Sequence, residues 1–412
     1  MSWTSANSRR GFTLIELLVA LAIGTLVIGA AVKLFSQAMG ATFVVSQRAE
    51  MQQDLRATSD LLIKDISLAG AGLPSATGIA LPQSATKPIY GFAPSCAAIN
   101  NCVPGGGIAY PCTSVGAVPC DPTLFGLIPG FQMGIQPPGS PSKSDVITVI
   151  YTDTVFALPC YTINSITGTA MTVSFPVPAP VPIPASCILT PPLVAPQPVA
   201  TLPPLAPELV PGDLVLIQST VAGNSATAIG EVTGAVSAGG GNYSIAFAAG
   251  DPLNLNQPGA ASGDLVQLAC GPVAPATPCP ATATATRIFV ISYYLWMMPD
   301  PLGVGPGTPT LMRQVNGQTP VPVQESVVNL QFTYDTYNVD GTLLNAVGDG
   351  GYSTGTSFNL IRKINLIHLT TRSQVAGAST GLMISKGYQT FDTQTSISAR
   401  NLSYQNRYIL TP

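Results

Sequence analysis

The chain has 412 residues and a net charge of −3; only 8% of its residues are charged, while 46% are hydrophobic. This length accommodates a long helix with one large domain or two modest ones. The hydrophobic fraction excludes a disordered chain, so the 40 glycines and 39 prolines predict many turns and loops. Beyond Arg9 and Arg10 there is no cluster of basic residues, which removes the electrostatic basis for nucleic-acid binding.

The N-terminus predicts a membrane-spanning helix. Residues 1–11 are polar and end in Arg-Arg-Gly, and residues 12–35 form an apolar run that contains a single acidic residue, Glu16, and a single basic one, Lys33. As a helix this run measures roughly 36 Å, enough for a hydrocarbon core of about 30 Å. The preceding arginines favour a cytoplasmic N-terminus. A secretory signal peptide fits poorly because the apolar run is long and continues into a helical pattern.

Glu16 lies early in this apolar run. A charge at the centre of a bilayer costs about 2.5–3.5 kcal/mol on insertion scales. Position alone leaves two interpretations open: the carboxylate is shallow enough to reach the interface, or it awaits a positive partner from another subunit.

The segment from Arg9 to Ala20, Arg-Arg-Gly-Phe-Thr-Leu-Ile-Glu-Leu-Leu-Val-Ala, resembles the prepilin signature of type IV pilins and type II secretion pseudopilins. The resemblance implies that a prepilin peptidase cuts after Gly11 and that the new N-terminal residue, Phe12, is methylated. It also implies that Glu16 pairs with the free amine of a neighbouring subunit during assembly. The leader is then 1–11 and the transmembrane part of the helix 12–35.

The helix is expected to continue as an amphipathic extension over residues 36–72, because no proline occurs before Pro74. Apolar residues at spacings of 3, 4 or 7 form one stripe: Val44, Met51, Leu55, Leu62, Ile66 and Ala69. Gly70, Gly72 and Pro74 are stop signals. We expect this stripe to pack on the sheet of the chain's own head.

Residues 73–412 predict an exported head of short strands and turn-rich loops. The expected strands are rich in β-branched and aromatic residues: Asp145–Tyr151, Met171–Phe175, Asp213–Ile217, Thr227–Val232, Tyr243–Phe247, Leu265–Leu268, Arg287–Trp296, Val327–Tyr334 and Lys363–Thr370. The proline-rich stretch 176–211 predicts an extended surface loop. The expected class is α+β, with a long N-terminal transmembrane and assembly helix packed on a large antiparallel β-rich head.

All eight cysteines lie beyond the N-terminal helix: Cys96, Cys102, Cys112, Cys120, Cys160, Cys187, Cys270 and Cys279. None shows the C-x-x-C spacing of zinc sites, and an even count in an exported chain indicates disulfides. Pairing of sequence neighbours gives 96–102, 112–120, 160–187 and 270–279, one of about 105 possible patterns.

The sequence gives little support for an enzyme. His368 is the only histidine and lies in an expected strand, where a satisfied ring is favoured over a general base. Gly105–Gly107 lacks the Lys-Ser/Thr that a phosphate loop requires. The segment Thr336–Gly341 resembles a calcium loop only faintly, without the closing glutamate, so a turn is favoured. We therefore predict no catalytic residues, no cofactor and no metal site.

Several head segments narrow the resemblance. The helix-to-head junction Asp54–Gly70 is similar to that of PilW-type minor pilins and of J-type pseudopilins of type II secretion. In order along the chain, four further segments look like strands of PilW-type heads: Pro211–Ile217, Val290–Leu295, Leu311–Arg313 and Val327–Tyr334. Residues 90–120 and the proline-rich stretch 176–211 do not resemble these heads and are expected to be insertions.

The resemblance implies a minor pilin that acts in pilus assembly or priming, held in the inner membrane with its head in the periplasm and later placed at the pilus tip and cell surface. The implied partners are other pilins, the prepilin peptidase and membrane lipid. A J-type pseudopilin is the first alternative. The second is a tip adhesin that binds through the enlarged head.

Overall fold

The structure is a computed structural model, and it describes residues 12–73, 79–82, 123–130, 134–138, 140–153, 158, 161–174, 209–221, 224–239, 242–251, 253, 255–258, 263–271, 279, 283–300, 307–337, 343–347, 361–373 and 389–399. The chain divides into two compact units. The first comprises Met1–Asp54 with Arg372–Phe391, and the second Leu55–Thr371 with Asp392–Pro412.

The described residues contain one α-helix, α1 (Leu14–Ser67), of 54 residues. It has no proline, and it ends where Gly70 and Gly72 adopt positive φ angles of 76° and 69°. Position 72 requires glycine for steric reasons as well as for its φ angle, because a Cβ there would collide with the side chain of Thr152.

The C-terminal turns of α1 lie in the second unit and are buried along the expected stripe. Leu62, Ile66 and Ala69 are fully buried, and Leu55 is nearly so. The part of the stripe from Leu55 to Ala69 therefore faces the protein interior, as the periodicity predicts, whereas Val44 is half-buried.

Seventeen strands are described. Their bounds are β1 (Ile79–Ala80), β2 (Thr123–Leu124), β3 (Leu127–Gly130), β4 (Val146–Thr152), β5 (Thr162–Ile166), β6 (Ala170–Ser174), β7 (Leu214–Val221), β8 (Asn224–Glu231), β9 (Gly234–Gly239), β10 (Asn242–Ala246), β11 (Thr284–Met298), β12 (Thr308–Val315), β13 (Val321–Gln324), β14 (Val327–Tyr337), β15 (Leu343–Val347), β16 (Ile361–Arg372) and β17 (Thr390–Ser398).

These strands form three larger sheets and one pair, β1–β2. The largest has seven strands in the order β13-β12-β11-β4-β3, and β7 extends it by pairing with both β11 and β8. One four-stranded sheet runs β5-β6-β10-β9 and the other β15-β14-β16-β17. The described pairs are antiparallel, for example Tyr293 opposite Arg313 between β11 and β12. The class is α+β, as the sequence predicts.

A hydrophobic core lies where β5, β6 and β10 meet β7 and β8. Its buried residues include Met171, Val173, Ile217, Ile245 and Phe247. Gly230 in β8 allows close packing there, since a Cβ would touch the ring of Phe247. In the seven-stranded sheet the core is carried by β11, in which Tyr293 and Tyr294 are almost completely buried.

One strand prediction is wrong. Leu265–Leu268 is a 3₁₀ helix, with Leu265 and Leu268 buried and Val266 exposed. The short segment Leu-Val-Gln-Leu fits a strand or a short helix equally well. In a 3₁₀ helix the first and fourth residues lie on the same side, which buries Leu265 and Leu268 together. The proline-rich stretch 176–211, apart from its last residues, and the 90–120 insertion lie outside the described residues.

Candidate assembly site at the start of the helix

The helix begins with a reciprocal pair of hydrogen bonds between Thr13 and Glu16. The Thr13 main-chain N–H and hydroxyl both donate to Glu16 Oε2, at 3.1 and 3.0 Å. In return the Glu16 main-chain N–H donates to Thr13 Oγ1 at 3.4 Å. This is a capping box, which satisfies N–H groups that the first helical turn leaves without partners.

The capping box gives Glu16 a role within its own chain. Unpaired main-chain N–H groups are costly in lipid, and the carboxylate removes one of them. Sequence reasoning missed this role, although Thr-x-x-Glu ahead of an apolar run is its signature. Among the described residues no basic side chain lies within ion-pair distance of Glu16, so its charge is not neutralised there.

The surface around this site is apolar and exposed. Large side chains of residues 12–35 are between 52% and 84% exposed: Phe12, Leu14, Ile15, Leu17, Leu18, Val19, Leu21, Ile23, Leu26, Val27, Ile28, Val32, Leu34 and Phe35. Within the described chain, α1 alone is long and apolar enough to cross a membrane, a test that N-terminal signal sequences also pass. A continuous apolar surface of this kind needs lipid or other helices to cover it.

Two further details suit the helix to lipid. The hydroxyl of Thr25 donates to the Ala22 carbonyl at 2.9 Å, so this polar group is satisfied inside the helix. Lys33 lies about 26 Å along the helix from Glu16, close to the thickness of a hydrocarbon core. The two charges of the apolar run are therefore separated by about the thickness of a hydrocarbon core.

A second cluster joins α1 to the seven-stranded sheet. Asp65 Oδ2 accepts hydrogen bonds from the Tyr293 hydroxyl at 2.7 Å and from Arg313 Nε at 2.8 Å. Arg313 Nε also lies 3.2 Å from the Tyr293 oxygen. Asp65 is only 3% exposed. We call this cluster the helix clamp.

The electrostatics of the helix clamp are coupled. Burial and the charge of Asp65 both raise the pKa of the Tyr293 hydroxyl. Burial alone would lower the pKa of Arg313, but the hydrogen bond and charge of Asp65 outweigh it, so that pKa rises. The Tyr293 hydroxyl and the Arg313 guanidinium therefore both keep their protons, and both can donate hydrogen bonds to the Asp65 carboxylate.

The helix clamp brings together three segments that are far apart in the sequence. Asp65 lies in the junction 54–70, Tyr293 in Val290–Leu295, and Arg313 in Leu311–Arg313. A fourth segment, Pro211–Ile217, reaches β11 through Asp213, whose carboxylate lies 3.5 Å from Arg287 Nη1. Arg287 Nε also donates to Asp153 at 3.0 Å.

Cys270 and Cys279 are joined by a disulfide. The Cys270 main chain exchanges two hydrogen bonds with Ile166, at 2.9 and 3.1 Å, which ties the disulfide to β5. The other six cysteines lie outside the described residues, and so do the leader with Gly11 and the glycines 105–107. In the part of the chain that the structure describes, no cluster of three or more His, Cys, Asp or Glu side chains suits a metal ion.

The remaining candidates for chemistry lie on the sheet β14-β16-β17. His368 is in β16, and its Nδ1 lies 2.9 Å from Asp392 Oδ2. Thr370 donates to the other oxygen of Asp392 at 2.8 Å, so that carboxylate is shared. In the calcium-like segment, Asp335 pairs with Lys363 at 3.5 Å, and residues 338–342 lie outside the described part.

A family model described as "Prokaryotic N-terminal methylation motif" matches residues 6–32. The comparisons with curated proteins and with solved structures gave no match. The family of the matched model is structural rather than enzymatic. The matched motif and the exposed apolar helix that follows it together support a type IV pilin-like protein.

Proposed function

We propose that the chain is a PilW-type minor pilin, which is stored in the inner membrane and primes assembly of a type IV pilus. The observation that carries the proposal is the capped start of α1, where the Glu16 carboxylate lies one turn from Phe12 on an exposed apolar helix. Cleavage after Gly11 turns the Phe12 nitrogen into an amine. A carboxylate and an amine then lie at the same end of every subunit.

The chemistry of assembly follows from these two charges. In lipid each charge is unfavourable alone, and a neighbouring subunit that offers the opposite charge removes that cost. Thr13 supports the arrangement, since its two donors bind Glu16 Oε2 and orient the carboxylate at the helix end. Cleavage and pairing are therefore linked, because only the cleaved chain has the amine.

A tip position suits the size of the head. The head comprises residues 73–412, most of the chain, and a large head is easier to accommodate at the end of a filament than at each repeat along it. The expected topology has the N-terminus in the cytoplasm and the head in the periplasm before assembly. Other pilins, the prepilin peptidase and membrane lipid are the partners in this mechanism.

The test is incorporation of Glu16→Ala into pili. We expect the variant to insert in the membrane and to be cleaved, but to be depleted at least about tenfold from sheared pili relative to wild type. Glu50→Ala is the matched control, because Glu50 is also an exposed carboxylate on α1 and lies beyond the apolar run. Membrane and sheared fractions are compared by immunoblot, and cleavage by gel shift.

Normal incorporation of Glu16→Ala would contradict the assembly role of the carboxylate. The machine is identified by deleting the gene and measuring pili and secreted enzymes in parallel. Loss of pili with normal secretion supports the minor pilin, whereas loss of secretion with normal pili identifies the J-type pseudopilin. Normal pili with loss of surface attachment identifies the adhesin.

A further inference from the structure

A pair of buried carboxyl groups lies away from the assembly site, at the end of β8. Glu231 is 3% exposed and Asp251, which follows β10, is 4% exposed. Asn256 is equally buried and links the two elements: it accepts from the Glu231 main-chain N–H at 2.9 Å and donates to the Glu231 carbonyl at 2.7 Å. We call Asp251, Leu253, Leu255 and Asn256 the 251 loop.

The two carboxyl groups differ in how they are satisfied. Both oxygens of Asp251 accept main-chain N–H groups of its own loop, from Leu255 at 2.7 Å and from Asn256 at 2.9 Å. The Glu231 carboxyl group accepts hydrogen bonds from Gln318 Nε2, at 3.2 Å to Oε1, and from the Leu253 main chain. Glu231 Oε2 is buried and has no hydrogen-bond partner among the described residues.

The charged neighbours of Glu231 do not compensate it. Asp251 faces it from the 251 loop, and on the β12–β13 side the contacting residue is the uncharged Gln318. On the β7 side, Glu231 is paired in register with Leu214. The charged residue next to Leu214 in the chain is Asp213. The Asp213 carboxylate is directed to the Val210 N–H at 3.0 Å and to Arg287.

We propose that Glu231 is a proton-controlled latch: when protonated it keeps the 251 loop closed on β8, and when ionised its charge beside Asp251 loosens this loop. An oxygen without a partner is tolerable on a neutral carboxyl group, whereas a buried carboxylate needs donors for its lone pairs. The latch lies in the head and does not depend on the proposed role in pilus assembly.

The pH range of the latch follows from its titration. Burial, with a contribution from the Asp251 charge, raises the pKa of Glu231 from its ordinary value of 4.5 to about 7, against hydrogen bonding from Gln318 and the Leu253 main chain. Because the closed state holds the proton more tightly than the open one, closing is fully favoured below about pH 4.5. This advantage is lost as the pH rises from 4.5 to 7, and it does not change further above 7.

The experiment is hydrogen exchange on the full chain in detergent at pH 5 and pH 8. The readout is the protection factor of the Leu255 and Asn256 amides, which removes the intrinsic effect of pH on exchange. In the wild type we expect protection to fall on the order of 100-fold from pH 5 to pH 8, since one pKa unit is tenfold in an equilibrium constant. Glu231→Gln is expected to hold the loop closed at both pH values. Glu325→Gln, at an exposed carboxylate, is expected to behave as wild type.

Equal wild-type protection at both pH values would overturn the proposal, and so would a Glu231→Gln variant that keeps the pH dependence. A second variant covers the case in which Glu231→Gln does not fold. Gln318 is exposed, and its hydrogen bond favours the ionised form of Glu231. Gln318→Ala is therefore expected to move the midpoint of the transition to higher pH. A midpoint that stays in place or moves lower would count against the latch.

Discussion

Asp65 joins α1 to the seven-stranded sheet through polar contacts. Its side chain is buried, and both groups of the sheet that reach it, the Tyr293 hydroxyl and the Arg313 guanidinium, bind the same oxygen. A carboxylate of this kind contributes less through its net attraction than through the penalty that follows when one partner is removed.

We expect Asp65→Ala to lower the free energy of unfolding by about 3 kcal/mol, because it leaves the partly buried Arg313 and the buried Tyr293 hydroxyl without their acceptor. Chemical denaturation of the full chain in detergent measures this. Asp60→Ala removes an exposed carboxylate from the same helix and is expected to change stability by less than about 0.5 kcal/mol. Equal effects of the two substitutions would contradict the helix clamp.

At the level of the element, the turn that follows α1 depends on Gly72. Its φ angle is +69°, and a Cβ would lie 1.9 Å from Thr152 Oγ1. Gly72→Ala is expected to cost about 2 kcal/mol or more, from the backbone conformation and the collision together.

Two other glycines distinguish the effect of a positive φ angle from the effect of a steric collision. Gly250 has a φ of +99° with open space around it, and Gly29 is in the helix with open space around it. We therefore expect Gly250→Ala to cost about 1 kcal/mol and Gly29→Ala to cost nothing measurable. Thermal unfolding ranks the three variants. A Gly72→Ala variant no less stable than Gly250→Ala would show that Thr152 gives way.

The disulfide closes a short loop beside β5. Cysteines separated by nine positions are expected to contribute about 2–3 kcal/mol to stability, mainly by restricting the unfolded chain. Cys270→Ser with Cys279→Ser should lower the unfolding midpoint, and reductant should then cause a smaller further drop than in the wild type. If reductant lowers the unfolding midpoints of the wild type and of the double variant by the same amount, the Cys270–Cys279 disulfide does not contribute to stability.

The same reasoning extends the sequence prediction for all eight cysteines. We expect alkylation of the exported protein without prior reduction to label none of them. Quantitative labelling would refute an oxidised framework.

The sequence predicts some elements far better than others. Central strands such as β4, β11 and β16 are rich in β-branched and aromatic residues that pack against both neighbours, so composition finds them. Edge strands such as β9 and β17 consist largely of Gly, Ala, Ser and Thr, and composition does not distinguish them from loops. Their pairing decides their structure, and pairing is a property of the whole sheet.

The sequence also predicts some of the functional sites better than others. Glu16 is identifiable because its motif is contiguous, and the Thr13 cap was equally visible as a local pattern. In the helix clamp, Asp65 contacts Tyr293 and Arg313, which follow it in the sequence by 228 and 248 positions. No local sequence pattern can therefore specify this cluster. The buried Glu231 is a similar case, since its burial depends on a loop and a turn that are distant in sequence.

At the scale of the whole molecule, the sequence predicts that the leader is cleaved and that the new N-terminus is methylated. The exposed Phe12 lies immediately before the capping box, so a cut after Gly11 leaves the box intact and adds a charged amine next to it. We expect the mature protein to begin at N-methylated Phe12. Mass spectrometry of the N-terminal peptide from purified membranes measures this directly.

The prepilin peptidase supplies the control for that measurement. In cells that lack it, the chain is expected to keep residues 1–11, to insert in the membrane and to be absent from sheared pili. Insertion is retained because it depends on the apolar run, whereas incorporation is lost because the amine that would pair with Glu16 of a neighbour is never formed. A mature N-terminus at another residue, or incorporation of the uncleaved chain, would contradict the link between processing and assembly.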